Sequence, residues 1–293
     1  MNYSIRKNWI SSFDLIKTKP ILLLPFVFIA FFESLALELI YFSTRKPISV
    51  IANPIIRKFF GENFLHYPGS LLLLPKLFYY AQVTVYIFIG VFLVGISVNI
   101  LKNIKAKLPL KTGALIKNAV KRYLSFVIFG IVMIFSMTLI KNADTFLFIK
   151  LVRFISKYLP QVATEIYFIG LSLFLFLSNV ILQVFLVLTV PIMVIQKKSL
   201  IRALGGSIYL GFRNFFSIFG LVFLPFLVYL PIMLLKSISP QLADKTFPEI
   251  SLYIVGAGII IAVFVDCFIT ICAAQFLLET TSSPKPKSKG SSQ

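Results

Sequence analysis

Six long apolar runs separated by shorter polar and basic stretches organise the chain. They cover residues 21–42, 79–101, 123–140, 166–190, 215–235 and 252–278. A helix of about 20 apolar residues crosses the ~30 Å hydrocarbon layer of a bilayer, so each run predicts one transmembrane helix. Lipid offers no partner to a free amide, which forces the helical choice. Strands of a membrane barrel alternate polar and apolar positions, and these runs do not. Pro191, Pro225 and Pro231 predict local kinks in spans four and five. The first run has full span length and no Ala-x-Ala end, so we expect a retained helix and not a cleaved signal.

The polar stretches carry their own pattern. A basic amphipathic segment precedes each odd-numbered span. Before span one, Ile5, Trp9, Phe13 and Ile16 share a helical face, with Arg6, Lys7, Asp14 and Lys17 off it. Before span three, Ile116, Val120 and Leu124 align, with Lys111, Lys117, Lys121 and Arg122 elsewhere. Before span five, Ile201, Leu204, Ile208, Phe212 and Phe215 align, with Lys198, Arg202 and Arg213 off that face. Such helices lie in the headgroup plane of a membrane. The joins 125–130 (SFVIFG) and 215–220 (FFSIFG) are alike, so the chain reads as three units of surface helix plus hairpin. Residues 144–160 form a further amphipathic candidate, with Lys150, Arg153 and Lys157 on one stripe. Segments 48–60 and 70–78 are apolar but interrupted by Pro54 and Pro75, and read as interfacial or re-entrant. Residues 1–279 thus form one six-span domain, and residues 280–293, rich in Ser, Pro and Lys, a disordered basic tail.

Composition sharpens the class. Of 293 residues, 58% are hydrophobic and 13% charged. A soluble domain of this size has no core large enough for that apolar load. A disordered chain is polar, and a basic nucleic-acid binder carries its charge on a domain of ordinary hydrophobicity. The formal net charge is nevertheless +19. The side of both termini holds 18 Lys and Arg against two acids, and the other side 11 against five. The positive-inside rule then puts both termini in the cytoplasm of a cell (inner) membrane protein.

Little classical chemistry remains. Cys267 and Cys272 lie about 140° apart on a helix inside an apolar run, so they form no local redox or metal pair. With His66 the sole histidine, histidine-rich metal sites and Cys-His dyads are excluded. No phosphate-loop, dinucleotide, nucleophile-elbow or zinc-protease motif occurs, and no cofactor is expected. Three acids fall within spans: Glu33 and Glu38 in the first and Asp266 in the sixth, with no Lys or Arg deep in any span. A charged acid at the bilayer centre costs about 2.5–3.5 kcal/mol on insertion scales, so such residues face the bundle interior. Glu33 and Asp266 are expected to meet as a cation or proton site, or to act as protonated helix glue. Glu38 belongs near the outer interface. Span four has a polar stripe of Glu165, Ser172, Asn179 and Gln183. Span six has a small-residue stripe of Gly258, Ala262, Asp266, Thr270 and Ala274, which predicts close helix packing around Asp266.

One resemblance follows from these residues. Pro191 ends span four and is followed by a basic segment with Ala203, Leu204 and Ser207. Trp9 and Phe13 precede Pro20 and Pro25 at the start of span one. This pattern resembles the six-span prokaryotic family that includes the membrane domain attached to some glycerophosphodiester phosphodiesterases. Gln196 stands where that family often has an acid. The resemblance implies six helices and a membrane location. It does not imply phosphodiesterase activity, because no soluble catalytic domain is present. The expected function is non-catalytic: contact with anionic lipid or a membrane partner through Lys117, Lys121, Arg122, Lys198, Arg202 and Arg213. The alternative is a transporter or permease for a small ion or amphiphile, using Glu33, Asp266, Asn179 and Gln183. An intramembrane enzyme would need a clustered nucleophile or metal set, and Glu33 with Asp266 is the only carboxylate pair available to it.

Overall fold

The protein is described by a computed structural model that covers residues 5–156, 160–245 and 247–282. Among these residues the chain is 89% helical with no strand. The helices are α1 (Ile5–Thr18), α2 (Leu24–Tyr41), α3 (Ser49–Phe60), α4 (Gly69–Val85), α5 (Val91–Lys105), α6 (Thr112–Val120), α7 (Tyr123–Ser156), α8 (Pro160–Leu186), α9 (Thr189–Ile195), α10 (Leu200–Arg213), α11 (Phe215–Lys245) and α12 (Ile250–Ser282). Six segments are long and apolar enough to cross a membrane, which makes the chain a multi-pass membrane protein. They are α2, α4 with α5, most of α7, α8 with α9, the first part of α11, and α12. Six crossings leave α1 and the end of α12 at one end of the bundle, here called proximal.

Helix α12 is the hub. It packs against α11, α2, α1, α4, α5 and α9. Its face of Cys267, Ile271, Ala274 and Leu277 is buried in the main core with Phe26, Leu101, Phe126 and Met193. A smaller distal core joins Leu37, Leu71, Leu74, Phe78, Val255 and Ile259.

Spans two and three differ from the sequence expectation, and span four breaks where expected. The helical stretch that holds span two starts at Gly69, ten residues before the expected start, so 70–78 runs on into the span instead of forming a separate segment. Pro75 sits inside α4, where it removes one amide. Leu71, Leu74 and Phe78 around it are sealed into the distal core, and that packing outweighs the lost bond. In span four the helix is interrupted at Val187 and Leu188. Pro191 has no N–H to return to the Val187 carbonyl, so this break is the expected proline effect. Pro225 and Pro231 leave α11 unbroken. Span three continues without interruption into the 144–160 candidate as far as Ser156. Thr280, Thr281 and Ser282 extend α12, and the remaining tail lies outside the described residues.

The surface helices turn part of each predicted apolar face inward and leave part of it exposed. Helix α10 buries Ala203, Ser207 and Gly211, at steps of four, and exposes Ile201, Ile208, Tyr209 and Phe212. Helix α6 buries Leu115 and Ala119 and exposes Ile116 and Val120. Helix α1 buries Asn8 and Ser12 and exposes Ile10 and Phe13. Small residues admit close backbone approach, so they go inward, and Ile5, Trp9, Ile16, Leu115 and Leu204 pack against the main core beside them.

Gly211 marks the closest of these approaches. A Cβ there would lie 2.8 Å from the Phe185 ring and 3.2 Å from the Val184 carbonyl oxygen. Gly211→Val is expected to cost about 1–3 kcal/mol through overpacking. Gly205→Ala, where a Cβ meets nothing within 4 Å, is expected to hold or raise stability. Thermal unfolding in detergent separates the two, and equal melting temperatures would refute the packing assigned to Gly211.

Candidate functional site

Antiparallel α2 and α12 bring the intramembrane acids toward one another. Cys267 Sγ approaches the Leu22 carbonyl oxygen at 3.7 Å, so Asp266 stands near the first turn of α2. Glu33 lies eleven residues further along α2, a rise of about 16 Å. Each Cα–Cβ bond tilts toward its own helix N-terminus, so the two side chains lean toward each other. Their charges interact, although no hydrogen bond joins them.

The acids have different surroundings. Glu33 is 6% exposed and accepts a hydrogen bond from Gln82 Nε2 at 3.1 Å. Asp266 is exposed within the single chain. Around it stand the start of α2 and the turn that links α4 to α5. The small-residue stripe holds the expected side of α12, but packing does not seal Asp266.

That linking turn, Tyr86–Gly90, is a π-helix. Such wide turns recur at functional sites because they redirect side chains without ending the helix. Here Tyr86 comes within electrostatic reach of Asp266, and its hydroxyl donates to Met133 Sδ at 3.0 Å. On the other side, α7 closes on the turn at Gly130, where a Cβ would sit 3.1 Å from Ile87 Cα.

A cation also approaches, although none lies deep in any span. Lys236, at the distal end of span five, bends back over Gly258, where a Cβ would come within 3.0 Å of its Nζ. The ammonium donates to the Tyr229 hydroxyl at 3.0 Å and acts electrostatically on Glu33. Long basic side chains at span ends reach along the helix in this way. Sequence inspection stops at residue position and misses the reach of the amine.

The span-four residues stay apart from this group. Asn179 Nδ2 turns back on its own helix and donates to the Leu175 carbonyl at 2.7 Å. Gln183 is half-buried on α8, which packs chiefly on α7, α10 and α11. The side chain of Glu165 lies outside the described ones. Glu38 is exposed near the end of α2, as expected. Asp144, assigned to an outer loop by sequence, is inside α7 and only 7% exposed, with Oδ2 unpartnered among the described residues.

Among the candidate headgroup contacts, Lys117, Lys121, Lys198, Arg202 and Arg213 are exposed. Arg122 is half-buried and donates to the carbonyls of Met193 and Lys198. Cys267 and Cys272 are buried free thiols, and no group of three or more metal-ligating side chains occurs among the described residues.

No protein-family model, curated protein or solved structure matches the chain. The resemblance to the phosphodiesterase-linked membrane domain accordingly rests on the residues around Pro191 and the N-terminal pattern alone.

Two measurements probe the surroundings of the two acids. In Asp266→Cys the new thiol is expected to react readily with a water-soluble maleimide, and in Glu33→Cys slowly, over a background kept low by buried Cys267 and Cys272. Equal labelling of both would overturn the difference in accessibility between the two acids. Gln82→Leu strips Glu33 of its donor and is expected to cost about 1–3 kcal/mol in thermal unfolding.

Proposed function

We propose that this chain is a non-catalytic inner-membrane protein, with both termini in the cytoplasm, that grips anionic lipid with its basic surface helices. One observation carries the reading. Helices α6 and α10 turn bulky apolar side chains outward beside free cations: Ile116 and Val120 with Lys117 and Lys121, and Ile201, Ile208 and Phe212 with Arg202 and Arg213. An apolar stripe flanked by Lys and Arg suits the boundary between acyl chains and anionic headgroups. Each cation near such a surface contributes about 1 kcal/mol. Neither nucleic acid nor a cofactor has a place in this reading.

Substitution of Lys117, Lys121, Lys198, Arg202 and Arg213 by Gln tests it. The share of anionic lipid retained by the purified protein in mixed-lipid nanodiscs is expected to fall strongly. The wild-type preference is expected to weaken as salt rises. An unchanged lipid preference in the five-residue variant removes the proposal.

A second reading is favoured by the accessible Asp266 within reach of Glu33. An accessible acid in the bilayer interior is what a small-ion permease requires, and intramembrane acids commonly mark such paths. Cation or proton flux in proteoliposomes is then expected to be lost in Asp266→Asn with Glu33→Gln. Flux that survives the double change takes these residues out of any mechanism.

A further inference from the structure

At the proximal end, cations converge where span four stops. Helix α9 ends at Ile195, and its last carbonyls have no helical amide to accept. Lys102, near the end of α5, donates to the carbonyls of Val194 at 3.5 Å and Ile195 at 3.3 Å. Arg122, between α6 and α7, donates to the carbonyls of Met193 and, at 3.1 Å, Lys198. These ties hold four separate parts of the chain together: the ends of α5, α6 and α9, and the start of the α10 segment.

The same ties concentrate positive charge. Lys197 and Arg122 both lie close enough to Lys102 to repel it. A helix C-terminus supplies only about half a negative charge against them. Among the described residues, none of Lys102, Arg122, Lys197 and Lys198 has a carboxylate partner; the described ion pair, Arg57–Glu62, is on the other side of the bundle. Unlike Lys102 and Arg122, the side chains of Lys197 and Lys198 make no hydrogen bond and are exposed.

The backbone at this point is also unusual. Lys197 has φ +56°. Left-handed positions after a helix are normally Gly or Asn, and another residue there costs about 1–2 kcal/mol. Strain and like-charge repulsion thus fall on one spot, at the membrane end of a span. Unfavourable terms persist at a ligand site because the ligand offsets them.

We propose that Lys102, Arg122, Lys197 and Lys198 form a discrete seat for one phosphate group of a phospholipid. Lys197 and Lys198 supply the free ammonium donors. Lys102 and Arg122, fixed on the α9 carbonyls, supply the standing positive field. Beside the cations, Leu124 is 71% exposed and Ile201 is 83% exposed, the apolar flank a lipid tail needs. Charge-assisted bonds of this kind are the strong ones. The seat rests on the lipid reading above and deepens it from a diffuse basic surface to a single stoichiometric site.

Native mass spectrometry of the full chain, released from nanodiscs of phosphatidylcholine with a minority of phosphatidylglycerol, tests the seat. The wild type is expected to retain one phosphatidylglycerol per chain. Lys197→Gln with Lys198→Gln keeps both backbone ties of α9 and is expected to lower that occupancy about tenfold. Lys117→Gln with Lys121→Gln is expected to leave the single retained lipid in place. Lys197→Gly relieves the left-handed strain, so it is expected to raise the melting temperature and still lose lipid. It keeps the test decisive if the double variant folds poorly. Inorganic phosphate added to lipid-free protein in detergent separates the sources. Stabilisation of the wild type alone means that the seat reads the phosphate group itself. Its absence, with phosphatidylglycerol still retained, assigns the ligand to lipid. Equal retention by wild type and the Lys197/Lys198 variant overturns the seat. The broader lipid reading survives that result if the five-residue variant still loses anionic lipid, and falls with the seat if it does not.

Discussion

Backbone groups in hydrocarbon must find partners inside the protein, and the architecture follows from where helices fail to supply them. The breaks and ends of the spans leave carbonyls open, and side chains from other elements take them. Ser97 and Cys267 approach the Leu22 carbonyl at 3.5 and 3.7 Å. Ser207 donates to Phe185 at 2.6 Å. Within unbroken α12, the Cys272 carbonyl also accepts a bond from Asn8 Nδ2 at 3.3 Å. Lys102 and Arg122 take the end of α9. The surface helices are therefore more than headgroup floats: α1 and α10 are fastened to the carbonyls of α12 and α8.

This fastening explains the small and polar residues that α1 and α10 turn inward. A soluble amphipathic helix buries its large apolar side. Beside a membrane, lipid serves the large side chains as well as protein does, and the gain from association comes from close packing and hydrogen bonds. Asn8, Ser12, Ala203, Ser207 and Gly211 are therefore the residues turned inward. The cations are carried at the border, where the carbonyl ends and any headgroup layer compete for them.

In the bilayer interior the same constraint isolates the polar residues. Glu33 is satisfied by Gln82, Asn179 by its own helix, and Lys236 by Tyr229. Asp266 differs because it is exposed within the chain. The π-turn at Tyr86–Gly90, gripped by Gly130 of α7, brings Tyr86 to its side.

The membrane class, the number of spans and the limits of spans one, five and six were legible in the amino-acid sequence, because transfer to hydrocarbon depends on composition over about 20 residues. So was the break ahead of Pro191, a purely local consequence of a missing amide. The length of span two was not legible: Pro75 is tolerated only through the packing of Leu71, Leu74 and Phe78. The candidate site was legible in part. Glu33 and Asp266 stood out as acids in apolar runs, while Gln82, Tyr86 and Lys236 did not, because each sits in a segment of ordinary composition. Which acid is covered, which cation is spent on a carbonyl and which side of a surface helix faces protein were decided by tertiary structure alone. These depend on side-chain reach and on the neighbour across the gap, and periodicity along one helix contains neither.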